Sequence, residues 1–139
     1  MKKEKKTIVL VDGENISAKN AESIVAISNR LGSVLERKVY HHQKDQDTRA
    51  WTEKSRNGDY KDIMLCGDSA KDKVDRKIQK DARRYLNDPD VDKVCVVTSD
   101  GGFSCLVKDA AVTKKRLCFI GGKNPSLLLQ NEGVQFVKL

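Results

Sequence analysis

The run Thr7-Ile-Val-Leu-Val-Asp12 constrains the fold more than any other feature. It is apolar without alternation, in a chain whose residues are 34% charged and 38% hydrophobic. A strand with one wet face alternates apolar and polar residues, whereas a continuous run needs cover on both faces. Lys93-Val-Cys-Val-Val-Thr98 and Arg116-Leu-Cys-Phe-Ile120 repeat the pattern. Lys38-Val-Tyr-His-His42 and Asp62-Ile-Met-Leu-Cys66 read as two further strands, and Val134-Gln-Phe-Val-Lys138 as a last edge strand. Between them the apolar spacing turns helical. Residues 17–31 carry Ile24, Ile27 and Leu31, residues 48–56 hold Trp51, and residues 71–86 place Val74, Ile78, Ala82 and Leu86 on one face. Residues 103–113 carry Leu106, Val107 and Ala110, and residues 125–130 read as a short helix with proline first. Ser69-Ala-Lys-Asp72 resembles a capping box for the long helix. Strands alternating with helices imply a three-layer α/β/α sandwich around a mostly parallel sheet. The expected order brings the first, third and fourth strands together at its centre.

A chain of 139 residues suits a single domain, here residues 7–139 behind a basic tail at 1–6. No run approaches the roughly 18 apolar residues of a membrane helix, and the tail lacks the apolar stretch of a signal peptide. Cys66, Cys95, Cys105 and Cys118 form no CxxC pair and read as buried free thiols, which points to a reducing, cytoplasmic setting. Lys and Arg number 27 against 20 Asp and Glu, a net charge of +7 that favours a polyanionic partner. The oligomeric state is not set by the sequence, and a homodimer is compatible with it.

Sites in open α/β sheets form beyond the carboxyl ends of the strands. Asp12 ends the first strand, Asp100 follows the fourth, and Asp75 lies in the opening turns of the long helix. Each alone has a plain structural use as a turn former, cap or dipole partner. Together at one edge they repel unless a divalent cation such as Mg²⁺ sits among them, where it polarises a phosphoryl oxygen or a water. Asp12, Asp75 and Asp100 are therefore the expected metal ligands and catalytic residues. Asn15, Thr98 and Ser99 can fix a carboxylate, a water or the substrate, and Lys73 and Arg76 can hold phosphates. Trp51, Tyr60 and Phe103 are candidate stacking platforms for unpaired bases, although in a chain with so few aromatics Phe103 reads first as a core residue. Asp81 reads as an exposed partner of Lys77. Adjacent His41 and His42 point to opposite faces of their strand, so only one can approach a given site. Gly121-Gly-Lys123 lacks P-loop spacing.

Val11-Asp-Gly-Glu-Asn15, Lys73-Val-Asp75 with Asp81, and Thr98-Ser-Asp-Gly-Gly-Phe103 resemble the three motifs of NYN domains, members of the PIN-like nuclease superfamily. Ser126-Leu-Leu-Leu and Phe136-Val-Lys-Leu139 are similar to the family's last helix and strand. The resemblance implies a Rossmann-like, PIN-like fold, a Mg²⁺ or Mn²⁺ site, and cleavage of RNA. It matches Asp12 to the first-strand metal carboxylate, Asn15 to the motif's asparagine, Asp75 to the acidic residue opening the central helix, and Asp100 to the first Asp of the third motif. Gly102 stands where the family usually has a second acidic residue, and Asp68 or Glu14 are candidates to replace it. The alternative is a nucleic-acid-binding module of the same fold with a weakened site. A third option is an unrelated Rossmann-like phosphate-transfer domain, but Glu14 and Asn15 do not supply the second Asp that a phosphoaspartyl phosphatase would want.

Overall fold

The computed structural model describes residues 6–68, 72–99, 101–122 and 134–139. Most of the basic tail, the first three capping-box residues (69–71), Asp100 and the helix expected over 125–130 lie outside the described residues. Among these residues six strands are present: β1 (Lys6–Asp12), β2 (Ser33–His42), β3 (Lys61–Leu65), β4 (Lys93–Val97), β5 (Arg116–Gly121) and β6 (Val134–Lys138). The helices are α1 (Ala21–Leu31), α2 (Thr48–Lys54), α3 (Lys73–Leu86) and α4 (Cys105–Thr113). Every strand pair is parallel, and the order across the sheet is β3-β2-β1-β4-β5-β6.

Two halves of the sheet grow outward from β1 and β4. The crevice between those two strands is the switch point at which such sheets bind ligands. The expected central place of the third strand is corrected. β3 is an edge strand, and β2 lies between it and β1. Its polarity accounts for this, since Lys61 and Met64 are exposed and none of its five residues is fully buried. β2 also starts five residues earlier than expected, because half-buried Ser33, Val34, Glu36 and Arg37 pair with β1 although two of them are charged.

Side-chain alternation assigns the layers. Ile8 and Leu10 of β1, Tyr40 of β2 and Val94 and Val96 of β4 pack against Val74, Ile78 and Ala82 of α3 and Leu106 and Ala110 of α4. Val9, Val11, Val39, Cys95 and Val97 pack on the opposite face against Ile24 of α1 and Trp51 of α2. Each fully buried Leu or Ile contributes about 1.5–3 kcal/mol of burial free energy. The expected helix over 17–31 opens as a 3-10 turn, Ala18–Asn20, capped by the Ser17 hydroxyl accepting from the Lys19 amide, and becomes α1 only at Ala21. α3 begins two residues later than expected. Asp72 precedes it in the left-handed region at φ 73° and makes no side-chain cap.

Candidate metal centre

Asp12 is the last residue of β1 and shares the α3 face with Ile8 and Leu10. It is fully buried. Its Oδ2 accepts from Asn15 Nδ2 at 2.8 Å and from the Thr98 hydroxyl at 2.9 Å. The chain then folds back, with the amides of Asn15 and Ile16 donating to the Asp12 carbonyl. Gly13 makes this turn passable. A Cβ there would lie 2.8 Å from the Tyr40 carbonyl and 3.2 Å from Trp51 Cδ1. Gly121 does the same for β5, where a Cβ would lie 2.3 Å from the Thr98 carbonyl.

Oδ1 of Asp12 is buried and has no hydrogen-bond partner among the described residues. Burial pushes the Asp12 carboxyl above the ordinary carboxylate range, against hydrogen bonds from Asn15, Thr98 and nearby amides that favour its charged form. Asp75 sits in the first turn of α3, and Glu14 in the turn after β1. One carboxylate oxygen from each of Asp12, Glu14 and Asp75 lies within 4.8 Å of the other two. Glu14 is also pushed up, first by partial burial and then by Asp45, Asp12 and Asp72, with His42 opposing. A hard oxygen donor set with one orphaned, buried carboxylate oxygen fits Mg²⁺ or Mn²⁺.

The remaining expected residues fall around this cluster. Thr98 is buried and turned onto Asp12, while Asn15 and Ser99 are exposed. The Lys73 ammonium donates to the carbonyls of Cys66 at 2.6 Å and Asp68 at 3.4 Å, tying the loop after β3 to the start of α3. Arg76 is exposed one turn from Asp72, and Lys80 lies exposed one turn further along α3.

Four sequence expectations are corrected. Asp81 does pair with Lys77 at 3.5 Å, but it is buried rather than exposed, because the Tyr40 hydroxyl reaches across from β2 to donate to it at 2.6 Å. Burial first, and then Asp81, raise the Tyr40 hydroxyl well above its ordinary value. Trp51 is no stacking platform. It is wholly buried, donates from Nε1 to the Ile16 carbonyl at 3.0 Å, and packs edge-on against Tyr60. Tyr60 is likewise a core residue, while Phe103 is buried as expected. Of the four free cysteines, Cys95 and Cys118 are buried as expected, but Cys105 is half-buried and Cys66 exposed.

Sequence reasoning left Glu14 as one of two substitutes, and the structure brings it to the cluster. It also did not choose between the two histidines. His41 lies on the α2 face, bonded to Thr48 and Asp62. His42 lies on the α3 face with Tyr40 and Asp12. The available signal was register, since Asp12 stands opposite Tyr40.

A parallel sheet of this order, with carboxylates gathered at its switch point, defines an α/β architecture of the PIN-like nuclease superfamily. The NYN domain family model matches residues 6–139, and the chain belongs to that family. No curated protein matches it. Among the described residues no helix is long and apolar enough to cross a membrane.

Proposed function

We propose that this chain is a metal-dependent nuclease that hydrolyses phosphodiester bonds in RNA, with Asp12, Asp75 and Asp100 as ligands of Mg²⁺ or Mn²⁺. The observation that carries the reading is Asp12. It is fully buried and held through one oxygen by Asn15 and Thr98, its other oxygen has no hydrogen-bond partner among the described residues, and its carboxylate lies within reach of those of Asp75 and Glu14. When bound, the cation supplies positive charge that polarises the scissile phosphate and acidifies a water. The protein's own residues set the geometry. Asn15 and Thr98 fix the Asp12 carboxylate in one orientation, so that no reorganisation is needed when substrate arrives. Asp75 is presented by the first turn of α3, and Lys73 pins the adjoining loop. Arg76 and Lys80, exposed along the same helix, are placed to neutralise substrate phosphates. Four free thiols support a reducing, cytoplasmic location.

The test is cleavage of a labelled single-stranded RNA and its deoxy counterpart with Mg²⁺, Mn²⁺ or chelator. Cation-dependent cleavage of the RNA, lost in Asp12→Asn, is the expected result. Gly102, lacking the acidic side chain that the resemblance calls for, favours one second reading: a nucleic-acid-binding module with a weakened site. Tight RNA binding with no cleavage at any cation concentration supports that reading and removes the first.

A further inference from the structure

Asp12 is already supported in the ion-free protein, but Glu14 is not. No donor among the described residues holds its carboxylate, although one of its oxygens lies within 4.8 Å of oxygens of both Asp12 and Asp75. The complementary lack lies on β2. The His42 ring is 4% exposed, and its Nδ1 accepts from the Lys44 amide at 3.1 Å. An accepting Nδ1 puts the proton of the neutral ring on Nε2. That Nε2–H is buried and has no partner among the described residues.

Register brings the two together. Asp12 stands opposite Tyr40, so His42, two residues on, shares the face of Asp12 and projects beyond it toward the site. The Glu14 carboxylate is close enough to His42 for a positive charge on that ring to act on it. Asp45, the other carboxylate nearby, is occupied through Oδ2 by the backbone amide of His42 itself at 2.7 Å. A buried donor left unmet costs about 1–3 kcal/mol, so a partner that arrives in the working state would relieve it.

We propose that Glu14 is a cation ligand of this site, and that His42 is its positioning residue, donating from Nε2–H to Glu14 once an ion draws that carboxylate inward. The proposal rests on the metal-dependent reading given above. Ligating carboxylates are commonly hydrogen-bonded by a further residue, and loss of such support costs about 10–100-fold in metal affinity. Asn15 and Thr98 play this part for Asp12, and His42 plays it for Glu14.

The test is Mn²⁺ affinity by calorimetry on the full chain, independent of cleavage. Glu14→Gln should weaken binding about tenfold or more, and His42→Phe by a similar factor. The two losses should not add, since His42→Phe should change nothing further in a Glu14→Gln background. His42→Gln, which keeps a side-chain N–H donor, should restore part of the affinity and covers the case in which His42→Phe fails to fold. In ¹⁵N-edited spectra the His42 Nε2–H resonance should become protected on adding Mg²⁺ to wild type, but not to Glu14→Gln. Wild type that binds Mn²⁺ while Glu14→Gln binds equally well overturns the proposal and leaves the nuclease reading standing. Additive losses in the double variant remove His42 as the positioning residue. Wild type that binds no Mn²⁺ at all overturns both.

Discussion

Replacing Asp12 by Asn should stabilise the metal-free protein while destroying its cation site. Oδ2 of Asp12 accepts from Asn15 and Thr98, and an Asn carbonyl oxygen in that place keeps both bonds. The amide nitrogen then replaces Oδ1, the buried oxygen with no partner. The exchange also removes one of three carboxylates that lie within 4.8 Å of one another. Relieving a buried unsatisfied carboxylate oxygen is worth about 1–3 kcal/mol. For a domain of this size that is about 3–10 °C in Tm. The gain should depend on pH with a definite sign. Burial raises the Asp12 carboxyl above its unfolded value, so the folded state binds this proton more tightly than the unfolded chain does. The stability this group contributes is fully present below the unfolded value, about 3.9, and is lost as pH rises through the raised folded value. Asn suffers no such loss. The gap in Tm between variant and wild type should therefore be smallest near pH 4 and reach its full size around neutrality. Thermal unfolding in chelator across that range measures it. Saturating Mg²⁺ should close or reverse the gap, because wild type alone gains about 2.7 kcal/mol at a hundredfold excess over Kd. A variant less stable than wild type at neutral pH in chelator, or a gap that ignores pH, would refute the account of Asp12 as an unsatisfied buried carboxylate.

Three further predictions follow from the packing and charge around the site. Gly13→Ala should destabilise the fold by about 1–3 kcal/mol, since its Cβ would meet the Tyr40 carbonyl at 2.8 Å; an unchanged Tm would show that the turn relaxes freely. Tyr40→Phe should cost about 1.5–3 kcal/mol by removing the 2.6 Å hydrogen bond to buried Asp81, with RNA cleavage below the melting range unaffected. Denaturant titration checks the first part, and a matching loss of cleavage rate would place Asp81 in the chemistry instead. Arg76→Ala with Lys80→Ala should weaken RNA binding and flatten its dependence on salt by about two counterions, read from affinities over a range of salt concentrations; an unchanged slope would move the RNA path off α3.

The chemistry-bearing residues were visible in the sequence because they sit at element boundaries that hydrophobic pattern alone marks. Asp12 is where the doubly covered run stops, and Asp75 is where helical spacing begins. Asn15, three residues after Asp12, was equally legible, since a short polar side chain at that distance folds back on the turn it helps to form. Burial was harder to read. Trp51 lies in a short polar helix, and only the packing of α2 over the sheet, with the Ile16 carbonyl at hand for its indole N–H, makes it core. Asp81 looked like a surface partner of Lys77 until β2 brought Tyr40 beneath the helix.

What the sequence determined by itself was the parallel α/β/α class and the strand ends that carry carboxylates. A continuous apolar run demands cover on both faces whatever its neighbours are. What it left undetermined was which strands stand side by side, because a run buried on both faces carries no label for its partner. The tertiary structure put β3 at the edge and β2 against β1. That register set Asp12 opposite Tyr40, brought His42 rather than His41 to the face of the site, and left Gly13 just enough room to turn Glu14 back toward Asp75. These are distances between segments far apart in the chain, and only the closed packing of both layers fixes them.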